Sequence, residues 1–142
     1  MMRLVVDASV AVKWLVEEEH SGAADSLLEG SHELFAPRLM ASEVGNTLWR
    51  KVRLGEIERS RGGALAAAIS EMPVRWTEDE GVCADAVRLS LALDRPVYDC
   101  VYLALAHRIG ATLVTSDARF ANAVAETEHG GVVTTLERFV AD

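Results

Sequence analysis

The chain has 142 residues, half of them hydrophobic, with 14 basic and 22 acidic side chains and a formal net charge of -8. That length suits one domain spanning residues 1–142, able to bury roughly 70% of its unfolded surface without a stapling disulfide or metal. The acidic balance excludes a generic nucleic-acid coat, which would be basic, and permits a binder of cations.

Arg3 to Val6 reads as a short β-type run that stops at Asp7, after which Ser9 caps a helical pattern with Val12, Leu15 and Val16 on one face. A second amphipathic stretch runs from about Ser21 to Leu28, and Leu34 to Ala36 is a second strand. Pro37 begins a helix in which Met40, Val44, Leu48 and Val52 recur every four residues until Gly55. Gly62 and Gly63 begin an alanine-rich helix that closes before Pro73, and Val74 to Thr77 is a third strand. Helices follow from about Glu80 to Leu93 and from Tyr98 to Ile109, the latter closed by Gly110. Thr112 to Thr115 is a fourth strand and Val132 to Thr134 a fifth. Short β-branched runs separated by helices predict an α/β sandwich with a central, mostly parallel sheet of four or five strands.

Cys83 and Cys100 show no CxxC spacing, so neither a zinc site nor a disulfide framework is expected. The first apolar stretch is broken by Asp7 and Lys13, and no run approaches the ~20 apolar residues of a membrane span. The expectation is a protein of a reducing, cytoplasmic compartment without a signal peptide.

Acids stand where ligands gather in parallel sheets, beyond the carboxyl ends of the strands. Asp7 and Asp117 each follow a strand, where an Asp also serves as a helix cap. Glu43 flanks the Met40/Val44/Leu48 stripe, with Asn46 about one turn later. Asp99 lies in an almost apolar segment, Tyr98 to Ala104, where a carboxylate is expensive unless paired or metal-bound. If the four share a pocket, their repulsion calls for a hard divalent cation such as Mg²⁺. Such an ion binds phosphate oxygens and acidifies a water, chemistry that leads to phosphodiester hydrolysis. Ser9, Thr115 and Ser116 are hydroxyl donors placed to orient the carboxylates, with helix capping as their other role, and Asn46 is grouped with them.

The segments MRLVVDAS, ASEVGN, YDCVYLALA and TLVTSDARF, in this order and spacing, resemble the PIN-domain ribonucleases, in particular VapC-type toxins of bacterial toxin–antitoxin pairs. The resemblance covers essentially the whole chain. It implies a parallel sheet between helices, with Asp7, Glu43, Asp99 and Asp117 at the family's catalytic and metal-binding positions and Ser9 and Thr115 at its hydroxyl positions. It further implies RNA cleavage with Mg²⁺ or Mn²⁺, a homodimer, and a cognate antitoxin that blocks the enzyme. Some members carry a further acid just after the last aspartate; Ala118, Arg119 and Phe120 supply none here, which leaves one ion or two open.

Twelve of the basic residues are arginines, suited to bidentate phosphate contacts. Arg50, Lys51, Arg53, Arg59 and Arg61 follow the helix carrying Glu43, and the first three are assigned to the RNA backbone. Trp14, Trp49 and Trp76 lie in apolar-periodic stretches and are expected as core or interface anchors. A haloacid-dehalogenase-type phosphatase would need an Asp where Ser9 stands, and a receiver domain would need a late lysine, whereas the only lysines are Lys13 and Lys51. The remaining alternative is a non-catalytic PIN-like domain that binds a partner in a DNA-bound complex.

Overall fold

Fully buried Leu4, Val5, Val6, Leu113 and Val114 form the centre of a parallel sheet. A strand covered on both faces reads as a continuous apolar run, which is why these segments do not alternate. The computed structural model describes residues 2–141. In chain order it contains β1 (Arg3–Val6), α1 (Ala8–Ala11), α2 (Ser21–Glu29), β2 (Glu33–Pro37), α3 (Leu39–Arg53), α4 (Arg59–Ala67) and β3 (Arg75–Thr77). There follow α5 (Cys83–Leu93), α6 (Val97–Ile109), β4 (Thr112–Thr115), α7 (Ala118–Ala125), β5 (Val133–Thr135) and α8 (Leu136–Ala141).

The strands lie in the order β3-β2-β1-β4-β5, with every pairing parallel. Parallel crossovers are right-handed. The chain therefore winds outward from β1 through α1 to α4 on one face, then jumps back across the sheet to β4 through α5 and α6 on the other. Helix α6 packs on β1, β2 and β4 and is itself covered by α5, so Cys100 to Ala106 are all buried. The predicted three-layer α/β sandwich is present, with five strands.

Several local boundaries differ from the sequence reading. Asp7, not Ser9, is the cap of α1, its carboxylate accepting the Val10 N–H. That helix lasts only four residues before a 3₁₀ turn at Val12–Trp14, so Leu15 and Val16 lie beyond it. Pro37 ends β2, in register with Thr77, because the carbonyl of Thr77 takes the next N–H, that of Arg38. Gly62 and Gly63 lie inside α4 rather than at its start. A Cβ on Gly62 would stand 2.7 Å from Val52 Cγ2, so this glycine lets α4 approach α3 closely. Helices α7 and α8 have no counterpart in the sequence reading.

Candidate active site

The sheet order reverses between β1 and β4, which opens a crevice at their carboxyl ends. Val6 pairs with Val114, so the next residues, Asp7 and Thr115, stand side by side at its floor. The Asp7 carboxylate accepts a hydrogen bond from Ser9 Oγ at 2.6 Å, one from the Val10 N–H at 3.3 Å, and one from the Thr115 hydroxyl. Ser9 Oγ in turn accepts the Ser116 N–H at 2.8 Å, and Thr115 Oγ1 accepts the Asp117 N–H at 3.0 Å. These bonds lock the turn after β4 to the turn after β1. Asp117 caps α7 through the Phe120 N–H at 3.1 Å. Capping and site membership, which the sequence leaves as alternatives, coexist in both aspartates.

Glu43 comes from the middle of α3 and receives the Tyr102 hydroxyl hydrogen bond at 2.5 Å. Asp99 comes from the first turn of α6. Together with Asp7, Asp117, Ser9 and Ser116, they line one cavity of about 510 Å³. Burial raises the pKa of Asp7 to about 6, against the lowering effect of its hydroxyl and amide partners. Burial also raises Glu43, partly offset by the Tyr102 bond and reinforced by the charges of Asp99 and Asp79. Asp99 is raised by burial first and by the Asp117 charge second. Among the described residues, no lysine, arginine or histidine forms an ion pair with any of the four acids.

Three cations, Lys13, Arg50 and Lys51, line the same cavity. Lys13 Nζ donates to Glu18 Oε1 at 3.1 Å and to the Glu19 carbonyl at 2.7 Å, while Lys51 Nζ lies 2.8 Å from Glu18 Oε2. Burial acts to raise the Glu18 pKa, but the two lysines outweigh it and the net shift is downward. Arg50 lines the cavity without such a partner. Sequence reasoning missed Lys13, Glu18 and Tyr102. The signal for Tyr102 was its position three residues after Asp99, one turn along α6.

Other expectations fall outside the cavity. Asn46 is exposed, makes no hydrogen bond to an acid, and lines a neighbouring groove. Arg53 stacks on Trp49, 5.5 Å from its ring centroid, and Trp49 is 56% exposed rather than a core anchor. Arg59 and Arg61 are exposed on α4. Trp14 donates to the Ala24 carbonyl at 2.9 Å and, like Trp76, packs against the core.

The donor set fits a hydrated divalent ion. Hard carboxylate oxygens without cationic partners converge on the cavity, and Ser116 Oγ at its wall is buried without a hydrogen-bond partner. Among the described residues no three or more acidic, histidine or cysteine side chains are placed closely enough to hold an ion between them. Mg²⁺ needs no such all-protein set, because it retains several waters and takes one or two carboxylates directly.

The sequence profile of the PIN domain family matches residues 4–126. The chain belongs to the PIN-domain family. Within that family it is 34% identical over 122 residues to ribonuclease VapC3 of Pyrobaculum aerophilum, covering 84% of this chain and 93% of the relative. The PIN-domain fold is shared with PAE2754 of the same organism, at a TM-score of 0.71 and 23% identity over 99% of this chain and 88% of that one. It is also shared with Mycobacterium tuberculosis VapC20, described as a toxin that cleaves the sarcin-ricin loop, at a TM-score of 0.66 and 17% identity over 84% and 94% of the two chains. A toxin–antitoxin complex from Klebsiella pneumoniae contains a further match, at a TM-score of 0.62 and 15% identity over 94% and 97%. The matched PIN region contains α3, α6 and β4 and all four acids.

Proposed function

We propose that this PIN-domain protein is a metal-dependent endoribonuclease, the toxin of a type II toxin–antitoxin pair, cutting RNA at the cavity of Asp7, Glu43, Asp99 and Asp117. The observation that carries the reading is the convergence of four carboxylates, unpaired by any cation among the described residues, at the crevice of a PIN-domain sheet. The relative named as a ribonuclease supports the activity, and the toxin–antitoxin match supports a cognate antitoxin as partner. A homodimer is part of the same reading.

Asp7, Asp99, Asp117 and Glu43 would hold one or two Mg²⁺ or Mn²⁺ ions. When bound, such an ion stabilises charge on phosphate oxygens and lowers the pKa of a water. The side chains of the chain do the rest by position. Ser9 and Thr115 fix both oxygens of Asp7, so the carboxylate does not reorient when charge arrives. Tyr102 holds one oxygen of Glu43 and leaves the other available. Arg50, Lys13 and Lys51 line the cavity with the acids and are suited to the non-bridging oxygens of an RNA backbone. Hydrolysis adds water across a P–O bond; the attacking oxygen stays on the phosphate, giving a 5′-phosphate, and the leaving 3′-oxygen takes a proton.

The test is incubation of the purified, partner-free protein with structured RNAs in Mg²⁺, Mn²⁺ or EDTA. Cleavage in metal, none in EDTA, and a loss of at least ~100-fold in Asp99→Asn are expected. Metal-independent cutting, or full activity of Asp99→Asn, overturns the mechanism. Uncut RNA under all conditions would instead favour a regulatory, non-catalytic domain in a DNA-bound complex.

A further inference from the structure

The acid cavity continues past Glu43 into a groove of about 500 Å³ between α3 and the first turn of α6. Both spaces are lined by Ala8, Glu43, Thr47 and Arg50, so Glu43 stands as the partition between them. Ser42, Asn46 and Arg50 recur at intervals of four along α3 and share the groove-facing side of that helix. Across from them stands Tyr98. Tyr98 is 62% exposed, although the helix beyond it, from Cys100 to Ala106, is buried. Among the described residues, none of these four side chains has a hydrogen-bond or ion-pair partner in the protein.

We propose that this groove is a nucleobase subsite, taking the unpaired base of an RNA nucleotide next to the scissile phosphate. The proposal rests on the acid cavity being the RNA-cutting site. Tyr98 offers a bare aromatic face, and a base stacks on such a face whatever its identity. The amide of Asn46 carries both a donor and an acceptor, the combination that reads a base edge in two bonds. Arg50, at the junction of the two spaces, takes the phosphate that joins the stacked nucleotide to the one being cut. An apolar peptide segment is a poor occupant, since it would bury the free polar groups of Ser42, Asn46 and Arg50 unpaired. RNA that is single-stranded at the cut satisfies all of them, because its bases are free to splay outward. The subsite therefore gives the enzyme a sequence preference one nucleotide away from the chemistry, carried by Asn46, and a binding contribution carried by Tyr98.

The experiment uses the full-length protein in Mn²⁺ and a fluorescein-labelled, unstructured RNA oligonucleotide containing a site that the wild type cuts. A matched set carries an abasic nucleotide at each position flanking the cut. At one of those positions the abasic RNA should raise KM by roughly five- to 100-fold, the range of a lost base–aromatic stack, with little change in kcat. Tyr98→Ala should show the same rise on intact RNA and no further penalty on the abasic one, while Tyr98→Trp restores the wild-type pattern. Asn46→Ala should flatten the base preference at that position and leave the abasic penalty of Tyr98 in place. An abasic penalty undiminished in folded Tyr98→Ala overturns the subsite alone. Tyr98→Ala that cuts every RNA as the wild type does also overturns it, and assigns the exposed ring to a protein partner. Wild-type protein that cuts no RNA overturns both the subsite and the function on which it rests.

Discussion

Asp7 illustrates how one side chain serves folding and chemistry at once. It caps α1, bridges two strand ends through Ser9 and Thr115, and remains without a cation among the described residues. Burial raises its pKa to about 6, so the folded chain binds this proton more readily than the unfolded chain does. The resulting stability is present at low pH and is lost as the pH rises through about 6. Asp7→Asn should therefore melt higher than the wild type at pH 7.5 in EDTA, by roughly 2–6 °C, with the gain shrinking toward pH 4. A lower melting temperature at pH 7.5 would mean that the hydroxyl bonds outweigh the burial of charge. Glu18 has the opposite sign. Its folded pKa is lowered by Lys51 and Lys13, so its contribution is present above the unfolded value of 4.5 and is lost as the pH falls below it. Glu18→Gln should cost about 1 kcal/mol in urea unfolding at pH 7, and progressively less as the pH falls below 4.5. Of the four acids only Asp99 breaks a local rule, as a carboxylate in an apolar segment; Asp7 and Asp117 also read as helix caps and Glu43 as a stripe-border residue, and the resemblance of the motifs is what groups them. The Lys13–Glu18–Lys51 cluster was not legible, because nothing in a linear sequence shows that Lys13 and Lys51, near the end of α3, share Glu18 as a partner.

At the level of elements, the strands were read within a residue or two, since buried parallel strands are short apolar β-branched runs bounded by acids, proline or glycine. Helix ends were read less well. Pro37 signals a helix start, yet its place in the β2–β3 ladder makes it the last strand residue. Gly62 signals a break, yet tertiary packing against Val52 uses it as a point of close approach. Helix α7 escaped because it has only eight residues and its cap, Asp117, was already read as a site residue. The segment leading from α7 to β5 provides a sharp check on this part of the fold. A Cβ on Gly130 would stand 2.5 Å from the carbonyl oxygen of Ala125, whereas one on Gly131 meets nothing within 4 Å. Gly130→Ala should lower stability by about 1–3 kcal/mol in urea unfolding, and Gly131→Ala should change it by less than about 0.5 kcal/mol. Equal effects would contradict the packing of this turn.

Over the whole molecule, the formal net charge is -8, and the cavity lining, with five acids and three bases, carries a formal -2 of it. The acidic balance weighs against a nucleic-acid coat but not against a nucleic-acid substrate, because Lys13, Arg50 and Lys51 line the same cavity as the acids. RNA should consequently bind the metal-free protein poorly, because its phosphates face the unpaired carboxylates, and divalent ions should relieve that repulsion. Filter-binding affinity for a structured RNA should rise at least ~10-fold on replacing EDTA with Mn²⁺, using Asp99→Asn to slow cleavage if that variant retains one ion. Equal affinity in both conditions would count against the electrostatic account. The central claim, that these acids form a single cation site, is tested most directly by titrating the protein with Mn²⁺ and following free ion by electron paramagnetic resonance. The wild type should bind one or two ions, and the Asp7→Asn/Asp99→Asn double variant should lose that binding while keeping a cooperative melt. A folded double variant that binds Mn²⁺ as tightly as the wild type would contradict the account.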